Sequence, residues 1–459
     1  MKEIYSIILA AGKGTRMKTD IPKCAYPILR KPMIEYIVDR LTQTQVTQNI
    51  VVVGHKKEVL EDILKDRVLY ATQTEQLGTG HAVLSAKPLL ENKEGLTLIL
   101  PGDMPLMSVK LTNKILNHHQ EQRNDLTVVS MVFDNPKSYG RILRDDEDRV
   151  VGIIEDKDAT YEQKQIKEVN SGVYVIDNKL LFKMLDKIQL NENKQEYYLT
   201  DIVELMAKEY KVGSFKVRDA YMMMGVNDLY AISQAESYLR EEINKEHLLN
   251  GVQMMSPNTI TIGHNVIIEP GAHILPNTTI TGDSVIKCHA IIGPNTEIHN
   301  STIEAHAEVK HSLIYDSKVG EHTTIGPFAH LRGHAEVGAK NRIGNFVEIK
   351  GSKTGTGTKA AHLSYIGDAI VGDRVNFGCG SITVNYDGVN KHKTIIGDDV
   401  FIGCNVNLVA PININSQVFI AAGSTVTKDI PQGALSIARN QQINKEDYYK
   451  HLIKPKPKE

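Results

Sequence analysis

The chain has 459 residues, 41% of them hydrophobic and 24% charged, an ordinary globular composition long enough for roughly three domains at about 150 residues each. Its 53 Lys and Arg nearly cancel 55 Asp and Glu, a net charge of −2 that excludes a global electrostatic grip on nucleic acid or an anionic membrane. No apolar run reaches the ~18 residues of a membrane span, and four cysteines without a CxxC pair point to a reducing, cytoplasmic setting and away from structural zinc.

In chain order, apolar runs at 4–10, 49–54, 96–100 and 126–133 predict buried strands, and amphipathic stretches beginning near Pro32 and Ser108 predict helices. The alternation predicts an α/β domain over 1–229 with a mostly parallel sheet. Leu229, Ile232, Leu239 and Ile243 stand at helical spacing in a polar stretch, read as a helical linker over 230–250. From 251 to 459 the period becomes six. Ile262, Ile268, Ile274, Ile280, Ile286, Ile292 and Ile298 recur without a break, and the register returns from Val319 to Ile349 and from Ile396 to Val426. One hexad supplies a short strand and a turn, three make a triangular coil, and the repeat predicts a parallel β-helix. Glycines that follow the apolar position, Gly320 and Gly338 among them, are expected to give the corners a positive φ. Two stretches, 351–361 and 384–394, read as loops leaving the solenoid, where function concentrates. The end of the chain, 444–459, reads as a lysine-rich tail that either covers the last coil or is disordered.

The first chemical signal is Leu9-Ala10-Ala11-Gly12-Lys13-Gly14-Thr15-Arg16-Met17, a Gly-rich turn after a buried strand. Such a turn lets backbone amides approach phosphates, and a helix start behind it would add its dipole. It lacks the spacing of a Walker loop. Arg16 and Lys23 add two cations, and Gly102-Asp103 places a carboxylate at the C-terminal end of a strand, where an open α/β sheet binds its ligand. By residue type alone Asn227 reads as a helix cap, Glu155 as a solvated acid and Lys23 as surface charge. Most of the 17 histidines lie in the hexad region and read as outward-facing; His362 stands apart because it follows the first interruption.

The motifs LAAGKGTRM, QLGTGHA, Gly102 to Pro105, Tyr139-Gly140-Arg141 and Gly225-Val226-Asn227 resemble the sugar-1-phosphate nucleotidyltransferases. Together with the hexads they resemble the bacterial family that fuses an N-acetylglucosamine-1-phosphate uridyltransferase to a glucosamine-1-phosphate N-acetyltransferase. The resemblance runs from about Ile7 to Arg439. It implies a Rossmann-like nucleotidyltransferase domain, a left-handed β-helix, a homotrimer, and Mg²⁺, UTP and acetyl-CoA as cofactor and co-substrates. It further implies that Leu9, Ala10, Ala11, Gly12, Gln73, Gly78 and Thr79 hold the nucleotide while Arg16 and Lys23 neutralise its phosphates. Gly140, Glu155 and Asn170 would contact the sugar, and Asp103 and Asn227 would bind Mg²⁺. In the hexad domain it makes His362 the general base, with Arg332 and Lys350 on the sugar phosphate and Tyr365 and Asn376 orienting the sugar. Asn385, Tyr386, Ala422 and Arg439 would hold acetyl-CoA, with Cys379 and Cys404 lining the same groove.

The sequence departs from that pattern at Cys379, Cys404, Gly333, Pro101 and Cys24-Ala25-Tyr26, and keeps the charged residues. Two other readings share the same motifs: a nucleotidyltransferase whose β-helix serves only assembly, and a non-enzymatic scaffold. The intact Gly-rich loop with Arg16, Lys23 and Asp103 speaks against the scaffold, and His362 with Arg332 and Lys350 speaks against a purely structural prism.

Overall fold

The computed structural model describes residues 3–136, 138–191 and 195–452. The chain divides into two compact units, 1–240 and 241–459. The helix Leu229–Leu249 contains the division point, and its Ile232, Leu239 and Ile243 are buried.

The first unit is built on a mixed sheet. In chain order its strands are β1 (Ile4–Leu9), β2 (Gln48–Val53), β3 (Leu69–Thr72), β4 (Leu96–Pro101), β5 (Leu126–Val132), β6 (Arg141–Arg144), β7 (Val150–Ile154), β8 (Glu168–Asp177) and β9 (Val212–Lys216). The main path runs β9-β5-β8-β4-β1-β2-β3, with β6 and β7 attached as a hairpin beside β8. All neighbours on the path are parallel except β8, which runs against both β4 and β5. The strands are hydrophobic on both sides because both faces are covered. Ile4 and Ile8 of β1 enter one core cluster, and Tyr5 and Ile7 enter the other. The helices predicted near Pro32 and Ser108 are Met33–Leu41 and Val109–Gln122, the second capped by the Ser108 hydroxyl accepting from Leu111 N–H.

The strand order reverses at β1, which has β2 on one side and β4 on the other. The C-terminal ends of β1 and β4 therefore open a crevice, and the segments leaving it are the Gly-rich turn and Gly102-Asp103. The turn does not open a long helix. Only one 3₁₀ turn, Thr15–Met17, follows it, so the expected helix dipole is missing and charge neutralisation there falls to side chains.

The second unit is a left-handed parallel β-helix with, among the described residues, three all-parallel sheets of 11, 10 and 9 strands. Each strand pairs with the one a coil later, as in Ile262↔Ile280, Ile280↔Ile298 and Ile298↔Ile314. The inward residues of that column are fully buried, and truncating one to Ala costs about 2–5 kcal/mol in a packed core. The register that the hexads lose after Ile298 continues through Ile303, Val309 and Ile314, where some corners are one residue shorter.

Two expectations are corrected here. The stretch 351–361 does not leave the solenoid: Lys353–Thr354 and Lys359–His362 are strands in register with the coils before and after. Thr354 and Ala360 occupy inward positions, and the Thr354 hydroxyl is satisfied there by the Asn341 amide, 2.7 Å away, and by Gly338 N–H. Only 384–394 departs from the coil, between the strands Ile382–Val384 and Thr394–Ile396. The glycines after the inward residues divide: Gly293 and Gly326 have the expected positive φ, +102° and +100°, and others do not. Gly320, Gly338 and Gly344 have ordinary φ; a Cβ on Gly344 would stand 1.9 Å from the Ala361 carbonyl oxygen. They permit close approach of successive coils, while the positive-φ corners carry residues such as His306, Phe328 and Leu363.

No helix among the described residues is long and apolar enough to cross a membrane. The tail 444–459 is described only as far as residue 452, where Tyr449–Leu452 forms one exposed helical turn; the remainder lies outside the described residues.

Candidate functional site

The crevice at the end of β1 and β4 is a cavity of about 600 Å³. Of the residues assigned to it from sequence, Leu9, Ala10, Ala11, Gly12, Arg16, Lys23, Gln73, Gly78, Thr79, Asp103, Glu155 and Asn227 line it. Gly140 and Asn170 do not. They sit behind Glu155, joined by Asn170 N–H donating to the Gly140 carbonyl, with the Asn170 amide donating to the Tyr174 oxygen. A larger cavity of about 770 Å³ opens at the opposite ends of the strands. Its polar groups serve the fold there: Asp177 caps a helix and His119 bonds Thr127.

The charged centre of the crevice is tightly knit. Lys23 bonds the Asp103 carboxylate and, at 2.7 Å, the Asn227 amide oxygen, which also accepts from Arg16 at 2.7 Å. The Asn227 amide nitrogen donates to the Gly225 carbonyl, so its oxygen is turned toward the cations. Helix capping at this point falls to Asp228, which accepts from Ala231 N–H, and Asn227 is thereby left for the crevice. Cys24 is buried behind Asp103; burial and then the Asp103 charge push its thiol up to about 12, which makes it a packing sulfur without nucleophilic character at neutral pH. Gln73 is buried and donates to the Gly78 carbonyl, and the Thr79 hydroxyl accepts from Leu199 N–H. Gln76 also lines the cavity and donates to the Ala11 carbonyl. The sequence reading passed over it although it lies inside the QLGTGHA stretch.

In the β-helix, residues one coil apart share a column. Arg332, Lys350 and Gly367 are in register on one sheet, as are Glu348 and Tyr365 two residues earlier. Arg332 bonds Glu348 at 2.8 Å through Nε, and Lys350 reaches both Asp368 oxygens at 3.1 Å. Asn385, at the base of the 384–394 loop, donates to the same Asp368 carboxylate at 2.5 Å. Lys391, from the far side of that loop, lies beside Lys350; the Lys350 ammonium, with Arg332 further off, holds its pKa below the ordinary lysine value. Three cations thus gather on one face, two of them held by carboxylates that the sequence did not single out.

His362 ends its strand level with Asn345 one coil below, and its Nδ1 lies 2.8 Å from the Asn345 amide oxygen. An amide oxygen only accepts, so Nδ1 is the donor in this contact, and in the neutral ring Nε2 is the nitrogen with the lone pair. The same corner column continues upward. Lys359↔Asn376 and Ala360↔Phe377 place Cys379 level with His362, and Phe377↔Ile402↔Ile420 place Cys404 and then Ala422 above it. Arg439 donates to the Ala422 carbonyl at 2.7 Å. Asn376 is not gathered with Arg332, Lys350 and Tyr365: it stands on the sheet of His362, level with Lys359 and Phe401. Tyr386 is exposed in the loop, its hydroxyl donating to the Gly388 carbonyl. Asp387 ties that loop together; the Asn390 N–H, His392 and the Val389 N–H hold its carboxyl well below the usual range.

Comparison with known proteins agrees with both halves. Residues 5–236 match the nucleotidyl transferase family, and residues 262–353 match the family described as GMPPB C-terminal domain. The chain is 60% identical over 454 residues to the bifunctional protein GlmU of Acholeplasma laidlawii, covering 99% of each. It is 47% identical to that of an Exiguobacterium species over 98% of this chain and all of the relative, and 46% identical to that of a Geobacillus species over 98% and 99%. The chain belongs to the GlmU family of bifunctional proteins.

Proposed function

We propose that the β-helix acetylates glucosamine-1-phosphate with acetyl-CoA, and that the sheet unit then transfers UMP from UTP to the N-acetylglucosamine-1-phosphate formed, releasing pyrophosphate. The observation that carries this reading is that each unit has its own set of groups: cations with two oxygen ligands in one, and in the other a column of cations on one sheet with a histidine held through Nδ1 on the next.

In the β-helix, His362 Nε2 takes the proton as the sugar amine attacks the thioester carbonyl; the C–N bond forms, the C–S bond breaks and CoA leaves as the thiol. Arg332, Lys350 and Lys391 receive the sugar phosphate in place of the carboxylates that hold the first two now. Tyr365 flanks that column, and the corner line of Cys379, Cys404, Ala422 and Arg439, with Asn385 and Tyr386 from the loop, receives acetyl-CoA. Asn376 stands apart from the sugar column within one chain. This fits a homotrimer in which a neighbouring prism completes the site, as do the exposed, stacked rings of Phe401 and Phe419, 4.5 Å apart.

In the sheet unit, backbone amides of 10–14, the Gly78 backbone and the side chains of Gln73 and Thr79 frame the nucleotide, with Glu155 on the sugar side and Gly140 and Asn170 behind it. The Asp103 and Asn227 oxygens already converge on one cation, the Lys23 ammonium, so the pair suits Mg²⁺, which takes few protein oxygens and leaves room for phosphate. Bound there, Mg²⁺ supplies charge neutralisation at the phosphates. Arg16 and Lys23 add to it and position the α-phosphate for in-line attack by the sugar phosphate. We place the enzyme in the cytoplasm, where its nucleotide and thioester substrates are made and its thiols stay reduced.

The test supplies glucosamine-1-phosphate, acetyl-CoA, UTP and Mg²⁺ and follows CoA and pyrophosphate separately. Both are expected, and without acetyl-CoA pyrophosphate should need added N-acetylglucosamine-1-phosphate. Pyrophosphate without any CoA release would mean that the β-helix serves only assembly.

A further inference from the structure

Lys23 does something in this structure that phosphate binding does not require. Its ammonium holds both oxygen ligands assigned to the metal: the Asp103 carboxylate and, at 2.7 Å, the Asn227 amide oxygen. Arg16 reaches the same amide oxygen at 2.7 Å. The Lys23 and Asp103 side chains are only 17% and 13% exposed, so without the ammonium the carboxylate would face low dielectric uncompensated. The arrangement is built in. Gly14, at φ +60°, leaves room for the lysine stem, where a Cβ would stand 2.6 Å from Lys23 Cβ, and the Gly225 carbonyl fixes the direction of the Asn227 amide.

We propose that Lys23 is a resident counterion that occupies the metal position in the nucleotide-free enzyme, so that a divalent cation enters together with the nucleoside triphosphate and not ahead of it. A free divalent ion needs the lone pairs that Lys23 and Arg16 use, and it would have to displace one cation and stand beside another. A triphosphate removes the obstacle because its oxygens offer Lys23 and Arg16 new partners and bring ligands for the metal. Lys23 thus exchanges a carboxylate for phosphates, and the carboxylate exchanges an ammonium for the metal. This rests on the assignment of Asp103 and Asn227 as the metal site.

The experiment titrates Mn²⁺, a probe that accepts the oxygen ligands of Mg²⁺, into the full chain and counts free Mn²⁺ by its electron paramagnetic resonance signal. Without nucleotide, Lys23→Gln should bind Mn²⁺ about tenfold or more tightly than the unmodified chain, through the loss of one repelling charge. Lys23→Arg should stay weak, and Asp103→Asn added to Lys23→Gln should abolish the gain. Measurable UTP binding by Lys23→Gln confirms that the crevice is folded. With UTP present, the unmodified chain should bind Mn²⁺ tightly and Asp103→Asn should weaken that binding. Equal nucleotide-free affinity of Lys23→Gln and the unmodified chain would overturn the role of Lys23 while leaving the metal site intact. Mn²⁺ binding with UTP that ignores Asp103→Asn would overturn the metal site itself, and this inference with it.

Discussion

The two units gather their chemistry in opposite ways. In the sheet unit the groups converge from remote sequence: Arg16 and Asn227 are 211 residues apart and meet only because the strand order reverses between β2 and β4. In the β-helix the groups are stacked: Asn345 and His362, Arg332 and Lys350, and Lys350 and Asp368 are 17 or 18 residues apart, one coil each. A convergent site depends on loop geometry at one end of a sheet. A stacked site depends on register, and any residue that shifts a coil shifts every column above it. The first should tolerate changes in its loops without unfolding; the second should couple function to the packing of the shaft.

Removing Lys350 strikes a column directly. Lys350→Ala deletes a charge-assisted contact of about 1.5–3 kcal/mol, so KM for glucosamine-1-phosphate should rise about ten- to a hundredfold while KM for UTP stays unchanged. Steady-state assays of the two half-reactions check this, and an equal rise in both would deny that the sites are separate. A second contrast uses glycine. Gly344→Ala drives a Cβ into the Ala361 carbonyl and should destabilise the β-helix by about 1–3 kcal/mol, whereas a Cβ on Gly12 meets nothing within 4 Å. Calorimetric melting should separate the two variants, and a lowered melting temperature for Gly12→Ala alone would reverse the comparison.

Alkylation probes the same difference by chemistry. N-ethylmaleimide should modify exposed Cys404 and half-buried Cys379, lower acetyl transfer and leave UMP transfer intact, because Cys24 is buried with its thiol held at about 12. Full acetyl transfer after complete modification of both would remove the corner column from the CoA groove. The smallest effect concerns Asp201, near Glu155 of the crevice. Burial, with Glu204, Glu155 and Asp158 nearby, raises its pKa from 3.8 to about 6. The folded state therefore holds that proton more firmly than the unfolded chain, and stability falls as pH rises from near 4 to near 6, with the full penalty above. Asp201→Asn should raise the melting temperature of the sheet unit at pH 7.5 and raise it less at pH 5; a gain that ignores pH would contradict the sign.

How much of this was legible beforehand follows from the same contrast. The hexads announced the inward columns, because an apolar residue every six positions is a direct imprint of the coil. They failed where packing substituted for hydrophobicity. Thr354 is polar yet faces inward because Asn341 satisfies it, so 351–361 looked like a loop when it is coil. The partners of the stacked residues in the β-helix, Asn345, Glu348, Asp368 and Lys391, were hidden because finding them needs the coil length at each turn, and corners vary by a residue. In the sheet unit the strands at 4–10 and 96–100 were plain from their apolar runs, but β8 running antiparallel left no local sign. Arg16, Lys23 and Asp103 were legible as company of the Gly-rich turn and a strand end, whereas Asn227 joined them through resemblance, since no spacing rule connects residues that far apart. What resemblance did not convey is that these four bond one another through Lys23 and Arg16.

The central claim is that the chain carries two chemically separate sites, one in each unit. The most direct measurement follows CoA and pyrophosphate in the same reactions for two single variants. His362→Ala should lower CoA release by about 10²–10⁴-fold and leave pyrophosphate release from added N-acetylglucosamine-1-phosphate unchanged. Asp103→Ala should do the reverse. One substitution that abolishes both products would contradict the account.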